Sequence, residues 1–504
     1  MKPLVIRADA SAEIGSGHVM RCLALAEAWQ DCGGSAIFVL SISSPPLEAR
    51  VRRERFEITH ITSEVGSLGD ADTTVQIAQM NKAEWVVVDG YNFSAEYQKR
   101  IKECGLSLLC IDDFGQAARY YADIVLNQNI YADMFFYKNH EPSTRFLLGT
   151  KYALLRKEFF LWNGYKRVIP RTAKKILVTL GGSDPENITG IVIEALKTIN
   201  LEGLEVLIVA GGLNPNYSKI QNMVKNLPNF SLKRNVGNMP NLMAWADLAI
   251  SAGGSTSWEL AFMGVPSILL PIAENQQRTV NYFQTHEIAR GIRSRESLNL
   301  KNLAKIISEL AKSDVMRERF SKNARKYVDG NGSFRVQSAM QSHNFRLRRV
   351  QESDCRIIWE WINDPFVRSC SFNPKTISVE DHKKWFASAL VNPRLVYYIA
   401  IDPQGNPFGQ VRFLIGDGDA VVSMLLDRNY RGVNLSAPLI RSSTDTFFSE
   451  SNIPFVSAYI KTENERSLKA FKKAGYREYE TILIYEQKAY HLMKKREDTE
   501  STGK

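Results

Sequence analysis

Short apolar runs alternate with helix-patterned stretches over the first two thirds of the chain. Leu4-Val5-Ile6, Ala36-Ile37-Phe38-Val39-Leu40, Trp85-Val86-Val87-Val88 and Leu108-Leu109-Cys110-Ile111 are continuous apolar stretches too short for buried helices. Such runs fit strands covered on both faces, hence a parallel α/β sheet. Ile124-Val125-Leu126 extends the set, and Asn163-Gly164 with Ile169-Pro170 marks a crossing within 153–172. The pattern restarts at Lys175–Leu180, continues through Leu204–Val209, Leu248–Ile250 and Ser267–Leu270, and closes near Asp329-Gly330-Asn331-Gly332. From about Asn344 it changes. The stretches 397–402, 408–415 and 420–426 read as an antiparallel meander, followed by helix, strand and helix at 432–449, 455–461 and 464–474. These patterns predict an α/β lobe over 1–160, a second over 161–342, an α+β module over 343–490 and a disordered tail over 491–504. Paired open sheets of this kind hold ligands in the cleft between the carboxyl ends of their strands.

Composition narrows the classes. The chain has 504 residues, 44% hydrophobic and 23% charged, which excludes disordered, collagen-like and disulfide-scaffold proteins. Its six cysteines form no CxxC pair and no zinc spacing, so they read as reduced thiols of a cytoplasmic protein. Arg7 and Asp9 interrupt the amino-terminal apolar run before a signal peptide could form. No apolar run approaches the roughly 18 residues of a membrane span. The formal charge of +10 is spread along the chain. It fits small anionic ligands and predicts neither a nucleic-acid nor a membrane partner, and it sets no oligomeric state.

Two glycine turns carry the candidate chemistry. The first predicted strand runs out through Asp9 into Ile14-Gly15-Ser16-Gly17-His18-Val19-Met20-Arg21, placing His18 on the first turn of a helix. The glycines allow close backbone approach to a ligand, and the positive helix end favours a neutral imidazole able to take a proton from water. On the residues alone, a His18 that merely packs against or caps its helix is the commoner reading of such a turn. The second turn, Ser251-Ala252-Gly253-Gly254-Ser255-Thr256-Ser257-Trp258-Glu259, follows Leu248–Ile250 and offers backbone amides to a diphosphate. Glu259 can accept ribose hydroxyls, or close a capping box with Thr256. Gly181-Gly182-Ser183-Asp184 and Glu274-Asn275-Gln276 are further strand exits toward the cleft.

The loop-plus-Glu arrangement resembles the UDP-binding lobe of GT-B nucleotide-sugar enzymes. The residues Arg7–Ser11, Ile14–Ala24, Val88–Tyr91, Leu126–Asn129, Tyr152–Arg156, Thr179–Asp184 and Ser251–Glu259 together resemble the UDP-sugar hydrolases of pseudaminic acid biosynthesis over about 1–340. The resemblance implies a GT-B-like pair of Rossmann-type lobes that hydrolyse UDP-2,4-diacetamido-2,4,6-trideoxy-β-L-altropyranose with inversion, using no cofactor and no metal. It makes His18 the base. Substrate would be held by Asp9, Gly17, Tyr91, Asn127, Gly182, Ser183, Gly254, Ser255, Thr256, Glu259 and Gln276. A GT-B glycosyltransferase using a UDP-sugar donor is the alternative.

Residues 345–490 resemble the GNAT N-acetyltransferases through Trp359–Asp364, His382–Phe386, Val421–Leu426 with Arg431-Gly432, and Asn464–Tyr476. The resemblance implies acetyl-CoA as co-substrate, bound by Leu426, Arg431, Gly432, Asn434, Ser436, Asn464 and Ser467, and a 4-amino UDP-sugar as acceptor. Asn434 and Ser436 stand where the family has small glycine-type residues, and Phe471 where many relatives carry a proton-donating tyrosine. A non-catalytic binding module is the alternative. His382 reads as a surface helix residue, Trp359, Trp361 and Trp385 as core, and Asp417-Gly418-Asp419 as a hairpin turn.

Overall fold

Every continuous apolar run becomes an interior strand. The computed structural model describes residues 2–11, 13–292, 298–341, 345–402, 405–432 and 435–496. The chain divides into two compact units, Met1–Gln337 and Ser338–Lys504.

In the first unit, β1 (Leu4–Ala8), β2 (Ala36–Leu40), β3 (Glu57–His60), β4 (Trp85–Asp89), β5 (Ser107–Ile111), β6 (Ile124–Asn127) and β7 (Arg145–Leu148) form one parallel sheet. Its order is β3-β2-β1-β4-β5-β6-β7. A second parallel sheet holds β8 (Lys175–Thr179), β9 (Glu205–Ala210), β10 (Phe230–Arg234), β11 (Leu248–Ala252), β12 (Ser267–Leu270) and β13 (Arg290–Gly291). Its order is β10-β9-β8-β11-β12-β13. In each sheet the winding reverses between two central strands, β1/β4 and β8/β11, buried throughout save for Lys175. Chain leaving such a pair parts to opposite faces and opens a crevice at the strand carboxyl ends. The glycine turns Ile14–His18, Gly181–Asp184 and Gly253–Ser255 leave from these pairs.

The expected division at 160/161 falls inside this unit. The chain crosses through two short 3-10 helices, Thr150–Tyr152 and Lys157–Trp162. The helix beginning at Gly332 returns onto that crossing, where Ser333 Oγ donates to the Leu155 carbonyl at 2.9 Å and Arg335 to that of Lys151 at 2.7 Å. A side chain at Gly332 would run into the Ala153 carbonyl.

The second unit has a mixed sheet of β14 (Arg346–Arg349), β15 (Leu395–Ile401), β16 (Pro407–Ile415), β17 (Ala420–Leu426), β18 (Phe455–Lys461), β19 (Arg477–Ile484) and β20 (Gln487–Lys495). The order is β14-β15-β16-β17-β18-β20-β19. Neighbours are antiparallel except β17 and β18, which are parallel and pair only at Ala420↔Val456 and Val421↔Ser457. Beyond those pairs the two strands part.

One expectation is corrected here. The disordered tail does not start at 491, because His491–Lys495 are the end of β20, hydrogen-bonded to β18 and β19. The polar residues His491 and Lys494 are buried along with Ala489 and Leu492, so both faces of the strand are covered where the sequence reads as solvated. Asp417-Gly418-Asp419 is the expected hairpin turn between β16 and β17, with Gly416 N donating to Asp419 O at 2.8 Å. No helix among the described residues is long and apolar enough to cross a membrane.

Candidate active site

The two lobes of the first unit enclose a cavity of about 440 Å³. Ten of the twelve residues expected to face substrate or catalyse line it: Gly17, His18, Tyr91, Gly182, Ser183, Gly254, Ser255, Thr256, Glu259 and Gln276. Asp9 and Asn127 do not. The Asp9 carboxylate is saturated by Arg7 at 2.6 Å and by the amides of Ser41 and Ile42 at 2.7 and 3.0 Å. Asn127 is fully buried, donating to Tyr137 Oη at 2.8 Å and accepting from the Asn129 backbone and side chain at 3.0 Å. It thereby positions Asn129, which does line the cavity.

His18 opens the helix Gly17–Asp31 directly after the turn that leaves β1. Its ring meets Tyr91 edge to face, centroids 5.0 Å apart, and it has no hydrogen-bond partner among the described residues. Tyr91, from the exit of β4, donates to Asp113 Oδ2 at 3.3 Å and accepts from Asn275 Nδ2 of the second lobe at 2.7 Å. Burial, and then the Asp113 charge, push the Tyr91 phenol up, so it stays protonated.

Beneath lies a buried charge cluster that the sequence did not disclose. Arg21, one turn after His18, bonds Asp89 through Nε and Nη2 at 2.7 Å each, and Asp113 through Nη1 at 2.8 Å. Burial works to raise the Asp113 carboxyl, but Arg21, with His18 and Asn129 assisting, holds it at about 2. One cation and two carboxylates leave a net negative charge beside the His18 ring.

Across the cavity, the helix Thr256–Met263 starts behind Gly253-Gly254-Ser255. The amides of Gly254, Ser255 and Thr256 have no partner among the described residues and face the cavity as an anion cradle. The capping box does not form. Ser255 is the N-cap and makes no side-chain cap, while Glu259 accepts from Arg156 at 2.8 Å. Arg156 is clamped on its other side by Glu158 at 2.8 Å. The lobes meet closely: a Cβ on Gly182 would lie 2.8 Å from Ser16 Cβ and 2.9 Å from Ser16 N. The loop Asn235-Val236-Gly237 also lines the cavity, with Asn235 in a left-handed conformation at φ 51°. It follows the polar edge strand β10, so no apolar pattern announced it.

In the second unit, Leu426 ends β17 and its carbonyl accepts from Arg431 Nε at 2.9 Å. Arg431 also pairs with Asp364 at 2.8 Å, while Gly432 turns with φ 80° toward Ser436, the first residue of the helix Ser436–Glu450. Asn434 lies outside the described residues. The amides of Ser436 and Ala437 have no partner among the described residues. Asn464 caps the helix Glu465–Lys473 by accepting from Ser467 N at 3.2 Å. Phe471 is buried edge-on to Tyr476, at 5.0 Å between centroids.

Two expectations fail in this unit. His382 is buried rather than on the surface, its Nε2 at 2.9 Å from the Cys355 carbonyl, and burial pushes its pKa down. Trp385 is 39% exposed rather than core, because the helix Val379–Val391 turns it outward; Trp361 is buried as expected. A polar chain that the sequence also hid runs along one face of the sheet. Ser457 Oγ lies 3.0 Å from His491 Nε2, His491 Nδ1 lies 3.3 Å from the exposed Glu480 carboxylate, and the Tyr459 ring packs on that of His491 with centroids 4.7 Å apart. Cross-strand pairing of residues at alternate positions brings them together, which no local spacing reveals.

Comparison with known proteins agrees with this division. Residues 176–335 match the Glycosyltransferase family 28 C-terminal domain, and residues 344–477 the Acetyltransferase (GNAT) domain. The chain thus has two parallel-sheet lobes, the second matching the glycosyltransferase family 28 C-terminal domain, followed by a unit that matches the GNAT domain. Among individual relatives, it is 23% identical over 408 residues to an uncharacterised protein of Methanocaldococcus jannaschii, covering 76% of this chain and 78% of that one. It is 26% identical to the spore coat polysaccharide biosynthesis protein SpsG of Bacillus subtilis, covering 67% and 97%. It is 26% identical to the UDP-2,4-diacetamido-2,4,6-trideoxy-beta-L-altropyranose hydrolase of Campylobacter jejuni, covering 55% and 95%. A spermidine N-acetyltransferase from Vibrio cholerae, solved with CoA and spermine, matches 31% of this chain and 98% of its own at 17% identity, TM-score 0.30.

Proposed function

We propose that the first unit hydrolyses a UDP-sugar and that the second acetylates an amino sugar with acetyl-CoA. The observation that carries the first half is the juxtaposition, in one cavity, of an unbonded His18 ring and a facing cradle of free amides. A UDP diphosphate fits the amides of Gly254–Thr256, and Glu259 sits where it can accept ribose hydroxyls. The sugar then lies toward His18, Tyr91 and Asn129.

Water attacks the anomeric carbon from the side of His18. Its oxygen forms the new bond to C1, its proton passes to His18, and the C1–oxygen bond to phosphate breaks with its electron pair on UDP. The cradle stabilises that departing charge as it develops, in place of a general acid. Asp113, fixed by Arg21, holds the Tyr91 hydroxyl that lies against the His18 ring. The Campylobacter relative points to a 2,4-diacetamido-2,4,6-trideoxy-altrose as the sugar. The glycosyltransferase match of the second lobe favours a second reading, in which a sugar acceptor replaces water.

In the second unit, the parting of β17 from β18 opens the sheet beside Ser436, a position suited to a pantetheine arm and its thioester. The acceptor amine forms a bond to the acetyl carbon, the carbon–sulfur bond breaks, and CoA leaves as thiolate. The amine proton passes through the Ser457 hydroxyl to His491, beside the Glu480 carboxylate. The test offers UDP-2,4-diacetamido-2,4,6-trideoxy-altrose without an acceptor and follows the products by NMR. UDP and free sugar of inverted configuration are expected. Turnover only when a sugar acceptor is added would favour the transferase.

A further inference from the structure

Along one face of the second unit's sheet lie three cations, two on strands and one on a helix, that have no anionic partner among the described residues. Alternation along β16 divides its side chains between two faces. Phe413 turns toward the helix Ser436–Glu450 and stacks on Phe447, centroids 4.4 Å apart. Arg412 turns the other way, and its Nε donates to Ser423 Oγ at 2.7 Å. Its guanidinium carbon lies 5.2 Å from the ring centroid of Trp385, the half-exposed tryptophan of the helix Val379–Val391.

Arg368, on the helix Pro365–Cys370, bonds the carbonyls of Asn373 and Lys375 and the Ser371 hydroxyl, and its Nε is buried without a partner. Lys461 of β18 donates to the carbonyl of Ser369, the next residue, at 3.2 Å. Among the described residues none of these three cations pairs with a carboxylate. Burial, and then the charge of Arg412, holds the Arg368 guanidinium below its ordinary range, so the two feel each other through the protein. Like charges gathered beside an exposed aromatic plane, with no carboxylate among them, are completed by an anion carrying an aromatic group.

We propose that Arg412, Arg368, Lys461 and Trp385 form a subsite for the nucleoside diphosphate of the amine acceptor, its base lying on Trp385 and its phosphates on the cations. The assignment rests on reading the second unit as an acetyltransferase of a nucleotide-linked amino sugar. A phosphate of coenzyme A is the other anion at hand, but its helix, Ser436–Glu450, packs on the opposite face of the sheet.

Calorimetric titration of the full chain with UDP, and separately with coenzyme A, tests this. Two UDP sites per chain are expected. Arg412→Gln and the exposed-residue change Trp385→Ala should each weaken one of them about tenfold or more and leave coenzyme A affinity unchanged. Gly254→Leu, which fills the cradle of the first unit, should remove the other. A single UDP site lost with Gly254→Leu and kept with Arg412→Gln overturns the proposal, as does a loss of coenzyme A affinity in place of UDP affinity. A single site lost with Arg412→Gln and kept with Gly254→Leu supports it, and counts against the UDP site of the first unit instead.

Discussion

Replacing Asp113 by asparagine removes one of the two carboxylates that neutralise Arg21. In the folded chain that carboxyl is held at about 2 against an ordinary 3.8, burial being outweighed by Arg21 at 2.8 Å. The depression corresponds to about 2–3 kcal/mol of folding stability near neutral pH. Because the folded-state value is the lower one, this stabilisation is complete above pH ~4 and is lost as pH falls toward ~2. Arg21 keeps Asp89, bonded at 2.7 Å through two nitrogens, so the variant does not orphan the cation. The cost should stay near that figure, below the ~3–5 kcal/mol of a buried charge left alone. Urea denaturation of both proteins between about pH 7 and pH 3 measures it. Asp113→Asn should be about 2–3 kcal/mol less stable at neutral pH, with the gap closing as the solution is acidified. A variant as stable as the parent at neutral pH, or a gap that does not change with acid, would refute the assignment of Asp113 as an ionised partner of Arg21.

Other changes probe the remaining parts of the account. Gly182→Ala sets a methyl group 2.8 Å from Ser16 Cβ and 2.9 Å from its amide, so the two glycine turns must separate. It should raise KM for the UDP-sugar and lower kcat together, measured by steady-state UDP release, with little change in melting temperature. His491→Asn should lower kcat for acetyl transfer by about a hundredfold or more while sparing the KM for acetyl-CoA. An unchanged melting temperature in that variant would separate the role from a packing defect.

The parts of this fold legible in the sequence are those where one physical signal dominates. Strands buried on both faces, such as β1, β4, β8 and β11, read as unbroken apolar runs, and the glycines behind them read as turns. Since both sheets reverse their winding at those strands, locating them also located most of the cavity wall. Edge strands escaped because half their residues meet water: β3 is Glu57–His60 and β10 ends in Lys233-Arg234. The β19–β20 hairpin escaped for another reason. Its turn places Tyr485 and Glu486 at positive φ, 47° and 63°, where Asn-Gly would have announced it.

The site was less legible than the fold. Asp9 carries the right chemistry at the mouth of β1, yet its oxygens are spent on Arg7 and on the Ser41 and Ile42 amides. Asp113, Arg156 and Asn275 are tied into the cavity wall by Arg21, Glu259 and Tyr91, which lie 92, 103 and 184 residues away, and no spacing rule connects them. The helix end was the only field the sequence assigned to His18. The structure adds the opposing charge of the Asp89–Arg21–Asp113 cluster.

The most direct test of the central claim compares His18→Gln with the parent enzyme in two assays on one preparation. Calorimetry with UDP reports the amide cradle, and release of UDP from the diacetamido UDP-sugar in acceptor-free buffer reports water activation. The account predicts unaltered UDP affinity and loss of nearly all turnover. Turnover that survives the substitution would contradict it.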